Sequence, residues 1–182
     1  MIQAIGLVEF TSIAKGIEAA DAILKAANVE ALAAKPICPG KYIVLISGDV
    51  SAVENAIEAG KKIGSEAVVD DFILPSVHQD VINAITATTE VPDIKALGII
   101  ETFSVASLIV AADTAAKAGN VQLIEIRIGM GIGGKSFVTL TGDVSSVKAS
   151  VDAGASTSTN KGMLIEKTVI ASPHKDLKRC LL

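Results

Sequence analysis

The chain is written twice, and this repeat limits its fold more than any other feature. Residues 4–29, AIGLVEFTSIAKGIEAADAILKAANV, align without a gap on residues 96–121, ALGIIETFSVASLIVAADTAAKAGNV, and 13 of the 26 positions are identical. The identities include Gly6/Gly98, Glu9/Glu101, Asp21/Asp113, Lys25/Lys117 and Asn28/Asn120. The register then slips by two residues, so that GKYIVLISGDVSAV pairs with GKSFVTLTGDVSSV. It slips by two more before LPSVH and IASPH, which pairs His78 with His174. A fold that accepts this sequence must therefore be built from two like domains, 1–90 and 94–182. The joint falls in TTEVPD, Thr88 to Asp93, where Pro92 interrupts the pattern.

Each copy has the same predicted order of elements. AIGLVEF is a short apolar strand, and Ile13, Ile17, Ala20, Leu24 and Ala27 follow at helical spacing, with Ser12 placed to cap them. Ala31 to Ile37 reads as a second strand, joined through a Pro-Gly turn to Tyr42–Ser47 as a hairpin. Gly48 ends that strand, a helix starts at Asp49 or Ser51, and Ser51-x-x-Glu54 has the form of a capping box. Val68–Leu74 is the fourth strand, and Val81–Ile85 begins a short final helix. The order β-α-β-β-α-β is that of a ferredoxin-like α+β sandwich, a fold that hosts many functions.

Composition narrows the possibilities. Half of the 182 residues are apolar, with no Trp and one Tyr, so the core is made of small aliphatic side chains that allow close helix-to-sheet packing. A net charge of −4 argues against a nucleic-acid binder. The longest apolar run, VASLIVAA, stops at Asp113, far short of the ~20 residues a membrane span needs. The start, MIQAIGLVEF, lacks the basic region and cleavage site of a signal peptide. The two cysteines, Cys38 and Cys180, are too few and too far apart for a disulfide framework, so a soluble cytosolic protein is expected.

Most motifs have a plain explanation. Gly129–Ser136, GMGIGGKS, satisfies the P-loop pattern, but a P-loop needs a helix directly after it and FVTLTGDV reads as a strand. His78 and His174 begin short helices with no catalytic partner expected nearby, and Glu9 and Glu101 are duplicated with everything else, so no catalytic residues are expected. The Gly-Lys pair at both hairpin tips, Gly40-Lys41 and Gly134-Lys135, is less easily dismissed as a turn, because both copies keep it. Cys38, taken alone, is a small hydrophobe or spectator thiol.

Taken in order, AIGLVE, AADAILKAANV, the Gly-Lys tips, the GDV junctions and LPSVH/IASPH resemble the shell-protein domain of bacterial microcompartments, and the likeness covers nearly the whole chain. Because each copy opens with the AIGLVE-type strand, the chain resembles the tandem, non-permuted, trimer-forming members of that family. The resemblance implies a homotrimer of six domains, a pseudohexamer, that tiles edge to edge with other shell proteins in the wall of a cytoplasmic organelle. It implies that Cys38, Pro39, Gly40, Lys41, Gly133, Gly134 and Lys135 surround a central pore. It also implies that Lys25, Asn28, His78, Lys117, Asn120 and His174 make tile-edge contacts. The family's edge segment usually reads Pro-Arg-Pro-His, and the arginine is absent from both copies here.

Three-fold symmetry would then turn one thiol per chain into three per pore, since copy two has Ile132 in place of Cys38. The expected cofactor is a 4Fe–4S cluster, one per trimer, with zinc or an empty pore as alternatives. Such a tile would pass electrons across the shell or serve redox enzymes inside, with Lys41 and Lys135 adding positive charge at the pore. The competing expectations are a metabolite-conducting tile without a metal centre and a soluble enzyme or sensor with a duplicated ferredoxin-like fold.

Overall fold

The computed structural model describes residues 4–90, 93–129 and 131–181. Pro92 of the joint and Met130 of the P-loop pattern lie outside the described residues. The chain divides into two compact units. One holds the residues up to Val77 together with the 129–134 loop; the other holds His78 onward without that loop. The repeat and the packing thus divide the chain differently. Residues 78–90 follow the first copy in sequence but belong by packing to the second unit.

In the first unit, β1 (Ala4–Phe10) lies between β3 (Lys41–Gly48) and β4 (Val68–Pro75), and β2 (Glu30–Ile37) is the outer partner of β3, all antiparallel. Every residue of β1 is buried, as expected of a largely apolar central strand covered on both sides by paired strands. Helices α1 (Ile13–Ala26) and α2 (Val50–Gly64) cover one face, where Val8, Phe10, Ile23, Val44, Ile46, Val53 and Ile57 form the core. A fully buried aliphatic side chain of this kind contributes about 1.5–3 kcal/mol relative to exposure. Ser12 caps α1, its Oγ accepting the N–H of Lys15 at 3.3 Å, as the sequence implies. The capping box at Ser51 does not form. α2 already starts at Val50 after an extended Asp49, so Ser51 sits inside the first turn, where its hydroxyl cannot act as an N-cap.

The second unit repeats the order with β5 (Ala96–Thr102), α4 (Val105–Ala118), β6 (Val121–Ile128), β7 (Ser136–Gly142), α5 (Val144–Asn160) and β8 (Leu164–Ile170). Its sheet runs β6-β7-β5-β8, matching β2-β3-β1-β4. Even the irregularities recur: register shifts at Ala31/Ala33 and Glu9/Phe10 return at Leu123/Glu125 and Glu101/Thr102. β7 follows the Gly-rich segment as a strand, so the P-loop pattern has no helix to complete it. The unit also contains α3 (Gln79–Ile85), which packs on β6 and α4, and the terminal helix α6 (Lys175–Cys180).

The copies keep one fold by exchanging volume. Gly16 on α1 approaches Tyr42 so closely that a Cβ there would lie 2.5 Å from the tyrosine Cβ. At the same places in copy two stand Leu108 and Ser136, large for small and small for large, both buried. A glycine shared by both copies marks the crossing of the paired helices. A Cβ on Gly60 would meet the end of Ile23 at 2.5 Å, and one on Gly154 would meet the carbonyl oxygen of Ala111 at 2.5 Å. Ile23 can turn aside; a helix backbone cannot. Gly154→Ala is therefore expected to destabilise the chain by about 2 kcal/mol despite its gain in helix propensity, and Gly60→Ala by less, compared by thermal unfolding.

Glu9 is an unusual occupant of a central strand. Its side chain is fully buried, and its Oε1 accepts from Lys41 Nζ at 2.6 Å. The copy-two pair, Lys135–Glu101, is longer at 3.1 Å and more open to solvent, with Lys135 exposed and Glu101 half-buried. Removing one partner of a buried pair weakens the support of the other charge, whereas a more open pair loses little. Lys41→Ala should cost about 3 kcal/mol and Lys135→Ala under about 1 kcal/mol; urea denaturation of the two variants side by side checks the difference.

Candidate functional site at the hairpin tips

The tip of the first β-hairpin, residues 38–40, meets the 129–134 loop of the second hairpin within the first unit. The Cys38 N–H donates to the Gly129 carbonyl at 2.8 Å, and the Gly40 N–H closes its own turn on the Ile37 carbonyl at 3.0 Å. The Cys38–Pro39 peptide bond is cis. Gly134 has φ +80°, and a Cβ there would lie 2.6 Å from Pro39 Cδ and 2.9 Å from the Cys38 carbonyl oxygen, so only glycine permits this approach. Gly40, Gly131 and Gly133 also have positive φ, but open space surrounds the position a Cβ would take. Their glycines serve the turn and leave room beside it.

Cys38 is half-buried with a free thiol, and it lines an open cavity of about 310 Å³ with Ile13, Pro36, Ile37, Gly40 and Gly131. No group of three or more potential metal-ligating side chains occurs within one chain among the described residues. At this tip one chain therefore supplies a single thiol, of the type that ligates iron–sulfur clusters, beside an open space left by small residues. Cys180, exposed on α6, is also a free thiol.

The lysines of the tips are not free cations. Lys41 is tied to Glu9 and Lys135 to Glu101, so the added positive charge expected from the sequence is offset at both tips. Sequence reasoning misses this pairing, although the glutamates recur in both copies at the end of the central strand. Arg127 on β6 lies 5.6 Å from the centre of the Phe137 ring and pairs with Glu125 at 2.5 Å.

Away from the tips, Lys25 and Lys117 each hold an aspartate one turn back, Asp21 and Asp113, at 2.6 Å. The carbonyls of Asn28 and Asn120 lie against the strand-end glycines Gly48 and Gly142, so each asparagine helps form a helix-to-strand junction. The histidines do have nearby partners, contrary to expectation. His78 Nδ1 accepts the N–H of Asp80 and His174 Nδ1 that of Asp176, each at 3.3 Å, so both rings cap the short helices they precede. His78 also donates its N–H to Asp113 Oδ1 at 2.8 Å. In the sequence Asp113 is visible only as one identity of the repeat; its role as a buried acceptor arises from tertiary contact.

The BMC domain model matches the chain twice, over residues 4–77 and 96–173. The first match ends at Val77, where the first unit also ends. The chain is 46% identical over 179 residues to the bacterial microcompartment shell protein PduT of Citrobacter freundii, covering 98% of this chain and 97% of that one. The shell protein PduA of Salmonella typhimurium is 40% identical over 88 residues, 48% of this chain and 90% of PduA, as expected of a relative with one copy of the domain. The crystal structure of a microcompartments protein from Desulfitobacterium hafniense DCB superposes with a TM-score of 0.91 at 67% identity, covering 99% of this chain and all of that one. Two matched domains and near-complete coverage by a tandem relative place this chain in the BMC domain family, as a two-domain structural protein of the bacterial microcompartment shell.

Proposed function

We propose that three chains close into a ring of six BMC domains, that this trimer tiles beside other shell proteins, and that Cys38 from each chain holds one 4Fe–4S cluster at the central pore. The observation that carries the reading is the setting of Cys38: a free, half-buried thiol at a hairpin tip, present in one copy and replaced by Ile132 in the other. A residue found in only one of two copies appears three times in a ring of six. Three thiolates leave one iron of a four-iron cluster without a protein cysteine. A cluster held there supplies one-electron transfer.

The chain's own residues would shape that site. The Cys38 N–H to Gly129 bond and the close seating of Gly134 on Pro39 hold the thiol-bearing turn in place. Gly40, Gly131 and Gly133 keep side chains out of the space beside it. Glu9 and Glu101 neutralise Lys41 and Lys135, so attraction of anions by free lysines is not part of the proposal. Electrons would pass between the cytosol and enzymes inside the compartment, while the filled pore resists leakage of small reactive intermediates. The residues from Lys25 to Asn28 and from Lys117 to Asn120, with His78 and His174, are proposed for the tile edges.

A second reading is favoured by the open, mainly apolar cavity beside Cys38: the tile conducts metabolites through a thiol-lined pore without a metal. Anaerobic purification with visible absorption and iron, sulfide and zinc analysis decides between them. The expected result is brown protein with about one cluster per three chains, colourless in Cys38→Ser while the assembled mass is unchanged. Colourless protein that stays free of iron after anaerobic reconstitution supports the metal-free pore, and one zinc per three chains supports a zinc site made of three thiolates.

A further inference from the structure

The second unit carries an ion pair that the first does not repeat. Arg127 on β6 donates from Nε to Glu125 Oε1 at 2.8 Å. It stands across from Phe137 of β7, with its guanidinium 5.6 Å from the ring centre. At the same places in the first hairpin are Ala33, Lys35 and Ile43, so both the acid and the ring are missing there. Arg127 has a side chain 53% exposed, and a pair so open adds little to stability. The fold shared by the two copies therefore does not account for it.

Arg127, Glu125 and Phe137 line a cavity of about 560 Å³ that lies wholly within the second unit. Proteins hold small molecules in cavities of this size, with apolar walls and a few placed polar groups. Ile124 and Leu181 supply apolar wall, and the free thiol of Cys180 stands beside Leu181. A further wall follows α3 and includes Thr89. That segment is fixed on both sides of Thr89. The Thr88 N–H donates to the Asn83 carbonyl at 2.9 Å, and Gln122 Nε2 donates to the Glu90 carbonyl at 2.7 Å. Between these bonds the Thr89 hydroxyl oxygen is buried and has no partner among the described residues. A polar atom left in that state costs stability until something pairs with it.

We propose that this cavity binds an α-amino acid with a large apolar side chain. Because Glu125 offsets the charge of Arg127, the pair has little net pull on a simple anion or cation. It complements a molecule that carries both signs on neighbouring atoms. The ligand carboxylate takes the part of the guanidinium that Glu125 leaves open, and the ligand ammonium takes the Glu125 carboxylate, both as charge-assisted bonds. Phe137 steadies the guanidinium before the ligand arrives, so less order has to be imposed on binding. The apolar side chain lies against Phe137, Ile124 and Leu181, and Thr89 gains the partner that the chain does not give it. None of these residues belongs to the Cys38 tip, so the site stands whether or not a cluster is held there.

Titration calorimetry of the full chain with L-phenylalanine, L-leucine, 3-phenylpropionate and 2-phenylethylamine tests this. The last two keep the apolar body of phenylalanine and carry one charge each. At least one of the amino acids should bind, and the single-charge analogues about tenfold more weakly or not at all. Arg127→Gln and Glu125→Gln should each weaken amino-acid binding about tenfold or more, with unchanged far-ultraviolet circular dichroism. Lys35→Gln, at the matching place in copy one, should bind like wild type. The bound amino acid should also slow alkylation of Cys180 by iodoacetamide, read by peptide mass spectrometry, and leave Cys38 unaffected. Failure of both amino acids to bind at millimolar concentration overturns the proposal. So do single-charge analogues that bind as well as the amino acids, Arg127 and Glu125 variants that bind like wild type, and binding that leaves Cys180 as reactive as before.

Discussion

The ion pair between Glu9 and Lys41 ties the candidate site to the core. Glu9 lies on the central strand β1, fully buried, and Lys41 is the first residue of β3 after the Cys38–Gly40 turn. A charge in that position needs pairing, and Lys41 supplies part of it, so the start of β3 is joined to the middle of the sheet. The turn that carries Cys38 thereby becomes an extension of rigid structure rather than a free loop. Its second support comes from the 129–134 loop, through the Cys38 N–H and the seat that Gly134 provides for Pro39. Under the proposed role of Cys38, such support would let the thiols of three chains meet a shared group with little reorganisation.

Duplication explains how one sequence pattern comes to play unequal roles. The helices α1 and α4 descend from the same stretch of the repeat, yet α4 is almost wholly buried and α1 exposes Ile13, Ile17 and Leu24. The internal sheets are nearly interchangeable in strand order, in pairing and in the places where register shifts. The differences gather at the termini of the copies and at the hairpin tips. The longer second tip, residues 129–135 against 38–40, also absorbs the first slip in the repeat.

Much of this is legible before any coordinates. The order of elements along the chain, the helix cap at Ser12 and the failure of the P-loop pattern all follow from local preference and periodicity, and the structure bears them out. The capping box at Ser51 resists so simple a reading, because a helix that starts one residue early moves a good cap into its first turn. The histidines escape local reasoning in a related way. Their partner is a backbone N–H two residues ahead, available only once the chain bends into a cap. The pairing of tip lysines with Glu9 and Glu101 is hidden because those partners stand far off in sequence and meet only across paired strands.

The duplication, the element order, the family and the presence of a lone cysteine in one copy are all contained in the amino-acid sequence. These depend on composition, spacing and identity, which need no third dimension. Packing had to settle that α3 leaves the copy that encodes it to sit in the second unit, that Asp113 receives the His78 N–H, and that the second tip supports the first. The two hydrogen bonds among these join groups far apart along the chain, His78 to Asp113 and Cys38 to Gly129. Local preference carries no information about such meetings, because they are fixed by which buried surfaces and polar groups can be satisfied together once the sheets have formed.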